Sequence, residues 1–343
     1  MANILILGAG AMGTAFAYPC VDNKHNVSIV GTHLEDNSID ELNKNHFHKG
    51  LNVTVLEKIK FFRYSAISEV IKLKPDLIVL GVSSKGINWV ADELKKISIK
   101  GKLPPLLMLT KGLSINGNNY EILVDKLNRL LSQKEVNNVD LSAIGGPCLA
   151  AGLANRVHSG VVIANENLET ANRLKKMLTT KYYHISTSTD VSGVEVCAAI
   201  KNIYSMAIGA ASGLNKKELK NNVHLNTSAA LMRQSIYEME VFVDFLKGKK
   251  ETVNGLAGLG DLYVSSAGGR NSKMGALIGE GIVFSKAKKN NMPNVTVEGA
   301  ELIFEIGEKV KKDFDENKLP LMIAMINAIL KDKKLEVKWE KFN

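Results

Sequence analysis

Asn3-Ile4-Leu5-Ile6-Leu7-Gly8-Ala9-Gly10-Ala11-Met12-Gly13 opens the chain with an apolar run that ends in G-x-G-x-x-G and continues into helix-forming residues. The pattern predicts a strand, a tight turn and a helix N-terminus. Gly8 lets the chain reverse. Gly10 lets backbone approach phosphates, and Gly13 lets the helix pack close to the strand. Exposed N–H groups and a partial positive charge at the helix start suit an anion such as a dinucleotide pyrophosphate, which would also touch Ala11 and Met12. A glycine-rich turn with no ligand is the plain alternative.

The rest of the first half alternates strand and helix signals. Strands are expected at 27–30, 76–81, 106–110, 141–144 and 161–164, with helices such as 86–97 and 120–131 between them. That alternation is the pattern of a parallel sheet covered on both faces. From about Thr189 amphipathic helices take over, at 191–211, 227–245, 299–310 and 319–330. The expected fold is therefore α/β: an N-terminal Rossmann-type doubly wound parallel sheet over 1–187, and an all-helical domain over 188–343. The 343 residues accommodate two domains of about 150 residues each.

Composition narrows the function. Hydrophobic residues make up 45% and charged residues 23%, ordinary values for a globular enzyme. A net charge of +9 suits an anionic ligand. The lysines lie in mixed stretches such as 308–312 and 331–334, which read as solvated helix faces, so no nucleic-acid partner is expected. No apolar stretch approaches the ~20 residues needed to cross a bilayer, so no stable membrane insertion is expected. The first strand begins at once, without a basic segment, apolar core and cleavage site, which argues against a signal peptide and for the cytoplasm. Cys20, Cys148 and Cys197 are few and widely spaced, which suggests a reducing compartment and no metal site.

Four further clusters could carry chemistry. Leu109-Thr110-Lys111-Gly112-Leu113 puts a lysine at the carboxyl end of a strand, where open α/β sheets bind ligands. Gly145-Gly146-Pro147-Cys148-Leu149-Ala150 follows another strand. Glu195 to Asn202 places Lys201 and Asn202 on a helix that is otherwise apolar nearly all round. Gly258-Leu259-Gly260-Asp261-Leu262 is followed by Gly268-Gly269-Arg270-Asn271. A lysine on such a helix either snorkels to the surface or faces an internal cleft. Asp261 is a natural counter-charge for it, although aspartate also suits a helix N-cap. At the end of the second strand, Gly31-Thr32-His33 carries no carboxylate where a strictly NAD-using protein would place one, and no arginine for the 2′-phosphate of NADP. Glu35 and Asp36 come later in the chain, and the nucleotide preference stays open.

In this order and spacing the clusters resemble the glycerol-3-phosphate dehydrogenases that use NAD or NADP. The likeness runs from residue 3 to about 330. The glycine turn matches Gly8 to Gly13, the first active-site lysine matches Lys111, and the Ser-Gly-Pro loop matches Gly145-Gly146-Pro147. The catalytic Lys-Asn pair matches Lys201 and Asn202, the Gly-x-x-Asp-Leu turn matches Gly258 to Leu262, and the Arg-Asn phosphate grip matches Arg270 and Asn271. Val297-Glu298-Gly299 matches a late motif whose glutamate contacts the cofactor.

The resemblance implies reversible hydride transfer between NAD or NADP and dihydroxyacetone phosphate, giving sn-glycerol 3-phosphate for glycerophospholipid synthesis, in a homodimer. It implies Lys201, Lys111 and Asp261 as catalytic residues. Gly146, Cys148, Asn202, Arg270 and Asn271 would bind the substrate. Gly8, Gly10, Ala11, Met12, Gly13, Thr32, Lys111, Ala150, Arg270 and Glu298 would bind the cofactor. A related reductase of the 2-hydroxyacid or ketopantoate type is the alternative. Departures from the family pattern fall at Gly81-Val82-Ser83-Ser84, at Gly152 and at 215–228, around the expected substrate pocket.

Overall fold

The computed structural model describes residues 1–99, 101–215 and 224–343, so most of the lysine-rich departure at 215–228 lies outside the described residues. The chain forms two compact units. The first is Met1–Lys111 with Ile122–Val191; the second is Gly112–Glu121 with Ser192–Asn343.

The first unit is built on an eight-stranded sheet. Its strands are β1 (Asn3–Leu7), β2 (Asn26–Val30), β3 (Ile59–Phe62), β4 (Leu77–Leu80), β5 (Leu106–Met108), β6 (Leu141–Gly145), β7 (Ser159–Ala164) and β8 (Tyr183–Ser188). Their order across the sheet is β8-β7-β6-β5-β4-β1-β2-β3. The six strands β1 to β6 are mutually parallel, with β1 at the centre; Ile4 pairs with Val27 on one side and Leu77 on the other. This is the doubly wound arrangement, whose order reverses beside β1 and leaves a ligand crevice at the carboxyl edge. Leu77, Ile78, Val79 and Leu80 are fully buried, as a strand covered on both faces requires. Helices α1 (Ala11–Asp22), α2 (Asp36–Asn45), α3 (Ile87–Ile97), α4 (Leu123–Ser132), α5 (Ala150–Ala154) and α6 (Leu168–Leu178) accompany the sheet.

Two details differ from the sequence-based expectation. β7 runs antiparallel to β6, and β8 then runs parallel to β7. The stretch expected as a helix from 120 begins instead as a hairpin, Leu113–Asn116 against Asn119–Ile122, and the helix starts at Leu123. A two-residue loop explains it: Gly117 sits at φ 59, the conformation that tight hairpin turns require. Almost all of this hairpin belongs to the second unit, where Tyr120 meets Phe242 edge-on at 5.5 Å and Lys309 lies 4.8 Å over its ring.

Among its described residues the second unit is otherwise helical, with α7 (Val191–Leu214), α8 (Leu225–Phe245), α9 (Asp261–Ser266), α10 (Arg270–Gly279), α11 (Phe284–Asn290), α12 (Glu298–Asp313) and α13 (Pro320–Leu330) as its main helices. α7 has 24 residues, and its most apolar stretch reaches a mean hydropathy of 1.2. Length and composition alone would let it cross a bilayer, contrary to the sequence reading, which counted only uninterrupted apolar runs. That stretch is 94% buried, so α7 is a core helix.

Glycines let α7 and α10 meet backbone to backbone. A Cβ on Gly209 would stand 2.2 Å from the Ser272 carbonyl oxygen, and one on Gly275 1.9 Å from that of Met206. Gly213 and Gly279 repeat the contact one turn along, against Ala276 and Ala210. α12 reaches the same place through Gly299, whose Cβ would lie 2.4 Å from the Asn202 oxygen. No larger side chain fits at these contacts without moving a helix.

Glu238 of α8 stands at the start of α13. It accepts from Leu321 N at 2.7 Å and Met322 N at 2.8 Å, and also from Gln234 and Tyr204. It thereby caps a helix from outside, answering N–H groups that have no partner within that helix. Burial nonetheless pushes its carboxyl up to about 7, from 4.5, against the pull of those four hydrogen bonds. The folded state therefore holds this proton more tightly than the unfolded chain does. The stabilisation is complete below pH 4.5 and is lost as pH rises towards 7. Measured by thermal melts between pH 4.5 and 7.5, the wild type should lose stability relative to Glu238→Gln as pH rises. Parallel curves for the two proteins would contradict the assignment.

Candidate active site

Lys201 lies in the middle of α7 with 6% of its surface exposed. Its Nζ donates to Asp261 Oδ1 at 2.5 Å and to Ser265 Oγ at 2.7 Å. Both partners come from α9, four residues apart and therefore on one face. The sequence named Lys201 and Asp261. It did not name Ser265, although a hydroxyl one turn after the aspartate was there to be read. Of the two positions open to Lys201, the structure takes the internal one. A stretch of π-helix, Leu256–Gly260, leads directly into Asp261, and a Cβ on Gly258 would stand 2.1 Å from the Val253 oxygen. Such wide turns recur at functional sites.

Asn202 follows Lys201 and is fixed from α10. Asn271 Nδ2 donates to Asn202 Oδ1 at 3.0 Å, and Asn271 Oδ1 accepts from Gly299 N at 2.9 Å. With its oxygen engaged, Asn202 presents its two amide N–H donors. Arg270, beside Asn271 at the start of α10, is ion-paired with Glu298 at the start of α12, and both are substantially exposed. Lys201 with Asp261, Asn202 with Asn271, and Arg270 with Glu298 thus form three pairs within the second unit, linked by adjacency in the chain. Their cations and amide donors suit an anionic, oxygen-rich ligand, and the buried lysine suits proton exchange with an oxygen.

In the first unit the glycine turn takes the expected form. Gly8 has φ 106, and a Cβ there would stand 2.9 Å from the Gly81 oxygen; at Gly13 it would stand 2.4 Å from the Gly8 oxygen. Around Gly10 the space is open: the nearest atom to a Cβ would be Glu35 Oε1, 3.9 Å away. Helix α1 begins at Ala11 with no side-chain cap, which leaves its first N–H groups to an outside acceptor. The cradle fits a dinucleotide pyrophosphate.

One departure from the sequence reading matters here. Glu35 folds back onto the turn, and its Oε2 accepts from Thr32 N at 2.7 Å and Ala9 N at 3.1 Å. A carboxylate therefore does stand at the end of β2, brought there by the loop instead of by the strand. Gly146 follows β6 with φ 123, Cys148 is half-buried beyond it and Ala150 opens α5. Lys111 is half-buried at the last position of this stretch of the first unit, next to Thr110, whose hydroxyl donates to Val82 O at 2.8 Å. Cys20, Cys148 and Cys197 are thiols.

An open pocket of about 790 Å³ runs along α3 in the same unit, as far as the ends of α3 and α4. His33 after β2, Tyr64 after β3 and Trp89 in α3 line it, with ring centroids 5.8 to 6.4 Å apart. Sequence reasoning missed this aromatic group, because its members lie on three separate connections.

Comparison with known proteins agrees with both halves. Residues 3–171 match the family model for the N-terminus of NAD-dependent glycerol-3-phosphate dehydrogenase, and 190–339 match that for its C-terminus. The "NADP(+)-dependent glycerol-3-phosphate dehydrogenase" of Archaeoglobus fulgidus is 30% identical over 90% of this chain and 91% of its own. The "Glycerol-3-phosphate dehydrogenase [NAD(P)+]" of Mesoplasma florum is 28% identical over 97% and 98%. The crystal structure of glycerol-3-phosphate dehydrogenase from Coxiella burnetii superposes with a TM-score of 0.82 at 24% identity, covering 99% of this chain and 98% of that one.

Removing one partner of a buried ion pair strands the other charge. Asp261→Asn should destabilise the fold by about 3 kcal/mol, and Ser265→Ala by about 1 kcal/mol, in urea unfolding at neutral pH. An Asp261→Asn midpoint equal to the wild type's would show that Lys201 does not depend on this carboxylate.

Proposed function

The chain belongs to the NAD-dependent glycerol-3-phosphate dehydrogenase family, and on that premise we propose how its own side chains carry the reaction. The reaction is the NAD(P)H-dependent reduction of dihydroxyacetone phosphate to sn-glycerol 3-phosphate, an oxidoreductase step on a small-molecule substrate. When bound, the nicotinamide gives hydride to the central carbonyl carbon, or takes it back from the alcohol.

Lys201 supplies the matching proton. As hydride reaches the carbon, negative charge gathers on the oxygen, and the ammonium first holds that charge and then protonates it. In the reverse direction the amine removes the hydroxyl proton. The buried site of Lys201, held by Asp261 and Ser265, is the observation that supports this role most strongly. Asp261 orients the ammonium and holds its positive form, and Ser265 fixes the remaining approach. Lys111 is assigned as a second cationic donor; a donor preorganised for a developing oxyanion contributes on the order of 3 kcal/mol.

Arg270 and Asn271 are assigned to the substrate phosphate. Asn271 keeps one amide N–H beyond the one given to Asn202, so it can donate to a phosphate oxygen while holding Asn202 in place. Arg270 can share its guanidinium fork between phosphate and Glu298. Gly146, Cys148 and Asn202 complete the substrate contacts. Gly8, Gly10, Ala11, Met12, Gly13, Thr32, Lys111, Ala150, Arg270 and Glu298 are assigned to the cofactor. We place the enzyme in the cytoplasm as a homodimer supplying glycerophospholipid synthesis; the three thiols are in keeping with a reducing compartment.

Initial rates with dihydroxyacetone phosphate and either reduced nicotinamide test the reading. Lys201→Met, which keeps the stem's packing, should lower kcat at least about a thousandfold. Arg270→Ala should raise KM for the phosphorylated ketone by about a hundredfold or more and leave dihydroxyacetone itself unaffected. Equal losses on the two ketones would remove Arg270 from the phosphate site.

A further inference from the structure

We propose that Glu35 makes this enzyme select NAD(H) over NADP(H), by offering one carboxylate oxygen to the hydroxyls of the adenosine ribose and repelling a phosphate at that position. The inference rests on the cofactor reading above and sharpens it. Family membership does not fix the nucleotide, because one relative is named for NADP and another for NAD(P).

The carboxylate is held in place. Its Oε2 accepts two backbone N–H groups, from Thr32 just past β2 and from Ala9 inside the glycine turn. Two such bonds fix the group's orientation. Oε1 is the oxygen that faces the open ground over Gly10, at 3.9 Å from where a Cβ would stand. An acceptor at the end of the second strand, beside the pyrophosphate turn, is what a ribose 2′-hydroxyl requires. A 2′-phosphate would bring about two negative charges against it.

Among the described residues, the cations of this neighbourhood are already engaged: Lys49, which lines the same pocket as Gly10 and Glu35, pairs with Glu41 at 2.7 Å. Arg63, directly after β3 on the adjacent edge, is committed to Asp40 through both Nε, at 2.7 Å, and a terminal nitrogen. The aromatic pocket begins at His33, one residue beyond the Thr32 amide that holds Glu35. The lysines lining it are each paired: Lys95 with Glu135, Lys96 with Glu93 and Lys134 with Asp92. Asp92 and Glu93 add acceptors there and no phosphate donor.

The test is direct binding by calorimetry, on the full chain with no substrate present, of NADH and NADPH to the wild type, Glu35→Gln and Glu35→Ser. The wild type should bind NADH at least about tenfold more tightly than NADPH, a difference of about 1.4 kcal/mol. Both variants should narrow that ratio: Glu35→Gln by tightening NADPH, and Glu35→Ser by also weakening NADH. A wild type that binds NADPH as tightly as NADH overturns the proposal without any variant. An unchanged ratio in both folded variants also overturns it. Binding of neither nucleotide would overturn the cofactor reading itself, and so is distinguishable from a loss of selectivity alone.

Discussion

The second unit depends on how closely its helix backbones approach. At the α7–α10 crossing the chain has glycine where any Cβ would collide with a carbonyl: Gly209 and Gly213 on one helix, Gly275 and Gly279 on the other. Gly299 brings α12 against Asn202 in the same way. These contacts leave no room for alternative registers. The result is that Asn202, Asn271 and the Gly299 amide fall within hydrogen-bonding distance, and Arg270 and Glu298 meet at two helix starts. The reactive residues are short-range consequences of a backbone constraint that contains no reactive atom.

Lys201 shows the opposite economy. An apolar side chain of similar size on α7 would be as stable as a buried ion pair, or more so, because desolvating both charges costs about as much as their attraction returns. Core packing therefore gives no reason to keep a lysine at 6% exposure. A functional demand does, since an ammonium in a water-poor site, oriented by Asp261 and Ser265, can exchange a proton with little rearrangement. Glu238 stands in contrast. It too is buried and hydrogen-bonded, but two of its four donors are N–H groups of α13, and its work is to hold a helix end.

How much could be read in advance depended on the range of each feature. The glycine turn was legible because its meaning is local: an apolar strand, three glycines and a helix in direct succession. Lys201 and Asp261 were legible as a pair, because a lysine on an apolar helix demands a nearby carboxylate. Glu35 was misjudged, because its carboxylate reaches the end of β2 only after the loop doubles back, and sequence position alone pointed past it. β3 and β8 were missed although Ile59 to Phe62 and Tyr183 to Ile185 alternate buried and exposed. Their periodic runs are short, and they sit at the two edges of the sheet. The reversed direction of β7 has no local signature at all. The aromatic cavity is assembled from three connections, each carrying one ring, and no single window of sequence contains it.

The hairpin after Lys111 has a consequence for how the polypeptide is made. It leaves the first unit after Lys111 and rejoins it at Ile122, having lent ten residues to the other. Tyr120 packs against Phe242 and beneath Lys309, more than a hundred positions downstream. During translation that aromatic ring emerges from the ribosome well before the helices that cover it exist. The hairpin can reach its final packing only once those helices have been made, so this part of the fold forms late.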